Sequence, residues 1–165
     1  MKKTFALLLA LCLCFSLSAI AQTAPEAITT SVAFEGVQIT VENAALGFLI
    51  PADFLVNDLT AEQAAQGDLL SATDAAGTYQ LHVSLTPADI NTFEATLAGT
   101  AGVEKISHLT INEVDFLTYT ATATNAACFA LYINDAAVLT FRFVVPAGVD
   151  AGSIPLQIVG SVYDL

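Results

Sequence analysis

The chain has 165 residues, 55% of them hydrophobic, with a formal net charge of −12. That apolar content excludes an intrinsically disordered chain, and the length suits one domain. The acidity makes phosphate backbones and anionic lipid poor partners, so no nucleic acid or membrane-surface partner is expected.

Residues 1–21, MKKTFALLLALCLCFSLSAIA, read as a cleaved secretory signal. Lys2 and Lys3 form a basic start, residues 5–20 are mostly apolar, and Ala19-Ile20-Ala21 supplies the small residues of a cleavage site before Gln22. Cys12 and Cys14 each follow a leucine, which argues against a lipoprotein anchor. The mature protein is therefore expected outside the cell or in the periplasm, with no stable membrane insertion. Beyond the signal, all 16 acidic residues face only Lys105 and Arg142. Their scatter suggests solubility rather than an acidic tail.

Residues 22–27 form a flexible leader in this reading, and residues 28–165 a single globular domain. TTSVAF and VQITV flank Glu35-Gly36 and suggest a hairpin. Gly47 to Ile50 reads as a strand that Pro51, lacking an N–H, brings to an end. After a turn at Ala52-Asp53, Phe54, Leu55 and Val56 offer an apolar patch for burial. Thr60 and Gln63 then have capping-box spacing, with Gly67 to stop the helix.

In TYQLHVSLT, Tyr79, Leu81, Val83 and Leu85 share one face of a strand, with Gln80, His82 and Ser84 on the other. Thr86-Pro87 opens a helix whose Ile90, Phe93 and Leu97 lie on one face before Gly99. Asn112-Glu113 joins KISHLTI to DFLTYTATAT, and Asn134-Asp135 joins CFALYIN to VLTFRFVVP; both pairs suit tight hairpin turns. SIPLQIVGSVYDL suggests a final helix, with Ile154, Ile158 and Val162 repeating every four residues and Pro155 in its first turn. Consecutive hairpins predict a largely antiparallel sheet.

Chemistry-bearing residues are few. Cys128 is the single cysteine beyond the signal and alternates with Phe129 on a strand, which predicts a buried, unreactive thiol. A nucleophilic or dimer-forming thiol is the sharper alternative. His82 and His108 read as structural histidines on strands. Asp53, Asp58, Glu62 and Asp68 cluster in sequence and suggest a solvated acidic rim, with a metal or a carboxylate pair as the alternative. Arg142, in FRF, shares a face with Thr140 and Val144. It is expected to pair with a carboxylate, the alternative being an anion-binding role. There is no Gly-x-Ser-x-Gly elbow, glycine-rich phosphate loop or Cys/His zinc spacing.

The run Gly47, Phe48, Pro51 and Phe54, the strand LLSAT, and the ending Ile158-Val159-Gly160-Ser161-Val162 resemble secreted bacterial members of the PsbP-like (Mog/PsbP-like) superfamily. Phe54 stands where a Trp is more usual in those domains, and Glu113 stands in place of a turn glycine. The resemblance implies an α+β fold, an α/β/α sandwich around a largely antiparallel sheet. It also implies a non-enzymatic binding or accessory module without a cofactor, whose protein or small-molecule partner is unknown. A carboxylate-based, metal-assisted extracellular hydrolase is the alternative that the acidic residues leave open.

Overall fold

In the computed structural model, residues 26–149 and 152–165 are described, so the signal and leader residues 22–25 lie outside them. Among the described residues eleven strands and three α-helices follow in chain order, with short 3-10 turns at Glu42–Ala44 and Thr122–Thr124. Strands β1 (Glu26–Ile28), β2 (Gly36–Val41), β3 (Leu46–Pro51) and β4 (Leu55–Asn57) precede helix α1 (Ala61–Ala65). Strands β5 (Asp68–Thr73) and β6 (Gln80–Pro87) lead to α2 (Ile90–Ala98). Then come β7 (Val103–Ile111), β8 (Val114–Ala121), β9 (Ala126–Ile133) and β10 (Ala137–Val144), and the chain closes with α3 (Ile154–Val159) and β11 (Tyr163–Asp164). This is a mixed α+β unit, mostly sheet. Glu26 and Ala27, the last residues of the expected leader, belong to β1.

Eight strands form one sheet in the order β1-β7-β8-β9-β10-β6-β5-β4, antiparallel except where β1 joins the edge parallel to β7. Both predicted turns close hairpins within it. Asn112 and Glu113 adopt φ of 47° and 70°, the pair of left-handed angles that a two-residue turn demands, and Asn134 adopts 52°. A three-stranded sheet, β11-β3-β2, lies apart.

Alternation along the strands gives the large sheet two faces with different partners. Leu81, Val83, Phe116, Phe129, Leu139, Phe141 and Phe143 pack against Leu46, Phe48 and Ile50 of the small sheet and Ile158 and Val159 of α3. Phe48 meets Phe141 edge-on at 5.0 Å between ring centroids, a favoured aromatic geometry. On the opposite face Leu117, Ala130 and Val138 pack under Phe93 and Leu97 of α2. The covering layer is thus a helix on one side and a sheet with a short helix on the other.

Four local expectations need correction. Residues 29–34, TTSVAF, form no strand: the Thr30 amide donates to Asn112 Oδ1 and the Ala33 amide to Gln157 Oε1, so side chains take the donors a ladder would use. The hairpin partner of β2 is instead β3. Of the Phe54–Val56 patch only Phe54 is buried; Leu55 and Val56, on the edge strand β4, are 63% and 57% exposed. Thr86 and Pro87 finish β6, and α2 starts later, where the Asp89 side chain accepts from the Asn91 amide. The last helix ends at Val159, because Ser161 Oγ turns back to donate to the Ile158 carbonyl at 2.6 Å and β11 then pairs with β3. The capping box is as expected: the Gln63 amide donates to Thr60 Oγ1 and the Thr60 amide to Gln63 Oε1.

Candidate functional site

Strand register places a polar row across the α2 face. Ser71, His82, Arg142, Cys128 and Tyr119 are successive cross-strand partners on β5, β6, β10, β9 and β8. Because directly opposed residues project from the same side of a sheet, all five side chains share this face. The neighbouring row runs Asp68, Ser84, Thr140, Ala130, Leu117 and His108. Phe93 and Leu97 cover only its apolar end. A cleft of about 270 Å³ remains beside the helix, walled by the α2 residues Phe93 and Leu97 and floored by His82, Ser84, Tyr119, Thr140 and Arg142.

Charge in this cleft is unusual for so acidic a chain. Arg142 is half-buried, and among the described residues no carboxylate lies within the 4.0 Å of an ion pair with it. The expected buried ion pair is therefore not formed there. The only carboxylate lining the cleft is Asp68, whose Oδ2 stands 3.9 Å from His82 Nδ1, too far for a hydrogen bond. His82 Nδ1 is buried and makes no hydrogen bond to the described protein atoms. Burial and the Arg142 charge push the His82 pKa below its ordinary value, with Asp68 opposing, so the imidazole stays neutral near pH 7.

Tyr119 and Cys128 form a second pair within the row. Burial pushes the Cys128 thiol up to about 11, the Tyr119 hydroxyl and Arg142 pulling weakly the other way. Burial, with Cys128 alongside, raises the Tyr119 phenol as well. Neither ionises near neutrality, so both act as hydrogen-bonding groups. Cys128 is 2% exposed, the buried thiol that alternation predicts.

The predicted residues therefore separate. Arg142, His82 and Cys128 converge in one row, and Asp68 begins the neighbouring row at the cleft edge. His108 sits elsewhere on the sheet, where its Nε2 meets Glu94 Oε2 of α2 at 3.2 Å. Asp53, Asp58 and Glu62 are exposed on the chain around β4 and α1, outside the cleft lining. No group of three or more His, Cys, Asp and Glu among the described residues could hold a metal ion. Tyr119 is a site residue that chain-order reading passes over, whereas Ser84 and Thr140 already share strand faces with His82 and Arg142 by alternation. Its signal is the period of two in LTYTA, which puts Tyr119 with Leu117 and Ala121 on the face away from Thr118 and Thr120. A larger cleft of about 370 Å³ between Leu46, Leu131, Val162 and Tyr163, with Asn134 and Asp164 also in its lining, has no polar side-chain atom left buried without a partner among the described residues.

No known sequence family matches the chain, and no curated protein does either. Solved structures do match. The fold is PsbP-like: it aligns with the solution structure of cyanobacterial PsbP (CyanoP) from Synechocystis sp. PCC 6803 at a TM-score of 0.54 and 11% identity, covering 91% of this chain and 99% of that one. It also aligns with a crystal structure from Bacteroides thetaiotaomicron VPI-5482 at a TM-score of 0.53 and 12% identity. That match covers 80% of this chain, which spans about half, 49%, of the other. At such identities the likeness concerns the fold, and site residues are not transferred by it. Among the described residues, no helix is long and apolar enough to cross a membrane.

Proposed function

We propose that the protein is an exported, non-enzymatic binding or accessory module that holds a small partner in the cleft beside α2. Residues 1–21 direct export in this reading, and residues 28–165 act as one binding domain. The observation that carries it is Arg142, a half-buried residue that lines the cleft and has no ion-pair partner among the described residues of a chain with 16 acidic side chains. A charge drawn partly out of water and left unpaired costs stability, and a ligand that supplies the missing partner would recover that cost. The PsbP-like fold supports a module rather than an enzyme by analogy alone.

The test is a nuclear magnetic resonance screen of the mature protein against mixtures of small extracellular metabolites. Shifts confined to Tyr119, His82, Phe93 and their strand neighbours, with the added compound chemically unchanged, are the expected result. Perturbation only elsewhere, or conversion of the compound, would overturn the reading.

A further inference from the structure

The chemistry of the cleft also defines the class of its ligand, an inference that rests on the binding reading above. We propose that the cleft takes a small organic monocarboxylate. Its carboxylate sits on Arg142, and its body lies between the side chains of Phe93 and Leu97 and the hydroxyl row of Ser84 and Thr140.

Four observations converge. First, the planar fork of a guanidinium matches a carboxylate bidentately, and the acidic side chains nearest in the fold leave that fork open. Second, the polar wall beside it is incomplete, since the buried His82 Nδ1, on the residue directly opposite Arg142, makes no hydrogen bond to the described protein atoms. Third, the ligand carries one charge rather than several. Asp68 at the cleft edge and a net charge of −12 repel polyanions, so phosphate esters and polyphosphates fit poorly. Fourth, the space is small. About 270 Å³ holds roughly nine waters at about 30 Å³ each, room for a carboxylate on a six-membered ring.

The two sides of the cleft fit the two sides of such a molecule. Phe93 and Leu97 present an apolar wall from the helix, while Ser84, Thr86, Thr140 and Tyr119 present hydroxyls from the sheet. An aromatic acid would use chiefly the first wall, and a sugar acid both.

The experiment uses the mature protein with benzoate and glucuronate as probes, and benzyl alcohol and glucose as their neutral counterparts. Titration followed by nuclear magnetic resonance reads the Arg142 side-chain Nε–H and the Tyr119 and Phe93 signals. At least one carboxylate is expected to move all three and to bind at least tenfold tighter than its neutral counterpart. Between the two carboxylates, the tighter one identifies an apolar or a hydroxylated body. Arg142→Met should lose at least tenfold in affinity, whereas Lys105→Met, which removes the exposed cation on β7, should bind as the parent does. Arg142→Gln serves if the methionine variant does not fold. Equal binding of the neutral compounds, an unaffected Arg142 variant, or silence of the cleft toward both carboxylates would each overturn the proposal. If a neutral metabolite fills the cleft while both carboxylates fail, the ligand class is wrong and the binding reading stands.

Discussion

Arg142 and His82 stand directly opposite each other on β10 and β6, and their side chains share the floor of the α2-face cleft. The guanidinium has no carboxylate within ion-pair distance among the described residues, which changes the expected cost of its removal. Breaking a buried pair strands the partner charge and costs about 3–5 kcal/mol. Here no partner is stranded. Arg142→Met is therefore expected to change stability by less than about 1 kcal/mol, the scale for weakly engaged surface charges. Denaturant melts of both proteins check this, and a loss of about 3 kcal/mol would overturn it.

The same opposition makes His82 a reporter of the Arg142 charge. Burial first, and Arg142 second, hold the imidazole below its ordinary value near 6.5, while Asp68 pulls it upward. Removing the guanidinium should raise the His82 pKa, since the neighbouring charge that opposes protonation is gone. A titration of the His82 ring protons in the parent and in Arg142→Met reads the shift directly. No shift would mean that the guanidinium points away from the imidazole.

Stability should respond to His82 in a defined direction. The unfolded chain takes up a proton near pH 6.5, whereas the folded protein takes it up only at lower pH. Below pH 6.5 the unfolded state thus binds more protons, and stability falls with pH until the folded pKa is passed. Above 6.5 this contribution is fully present. Replacing His82 with Gln should flatten this part of the pH dependence, measured by melts in matched buffers across that window. An unchanged slope would assign it to the carboxylates instead.

Cys128 should react slowly with a thiol reagent while the protein is folded. Its side chain is 2% exposed and its thiol is pushed up to about 11, so both access and thiolate content are low at neutral pH. Unfolding at the same pH restores an ordinary thiol and should speed labelling strongly. Fast labelling in the native state, or a disulfide-linked dimer on a non-reducing gel, contradicts this.

Much of the fold is legible in the sequence because strand alternation and turn chemistry are local. Leu81, Val83, Phe141 and Phe143 announce the buried face, and Asn112-Glu113 and Asn134-Asp135 announce the hairpins. The expected hairpin at Glu35-Gly36 failed because the amides of Thr30 and Ala33 are claimed by Asn112 and Gln157, which lie 82 and 124 residues away along the chain. Leu55 and Val56 look like core by hydrophobicity, yet β4 is an edge strand whose outer positions lack a covering layer. The site behaves similarly. Arg142, His82 and Cys128 are conspicuous singly, but only the register of four strands makes them a row with Tyr119.

Asn112 carries the last prediction, because one side chain joins three distant segments. Its Nδ2 donates to the Gly160 carbonyl at 2.7 Å and to the Thr30 carbonyl at 2.9 Å, while Oδ1 accepts from the Thr30 amide at 2.9 Å. The same residue holds φ of 47° in the β7–β8 turn, a backbone angle that asparagine tolerates better than most residues. Asn112→Ala removes all three hydrogen bonds and keeps the strained angle. At about 1 kcal/mol per bond, it should destabilise the protein by about 3 kcal/mol. Asn112→Asp is the sharper test. It retains the acceptor for the Thr30 amide but replaces the donor with a carboxylate oxygen facing two carbonyl oxygens. If the donor holds the Gly160 turn in place, the aspartate variant should lose at least as much stability as alanine at pH 7. It should recover part of that loss once acid protonates the new side chain. Denaturant unfolding of both variants at pH 7 and near pH 4 measures the difference. An aspartate variant as stable as the parent would show that the carbonyls of Thr30 and Gly160 do not depend on Asn112.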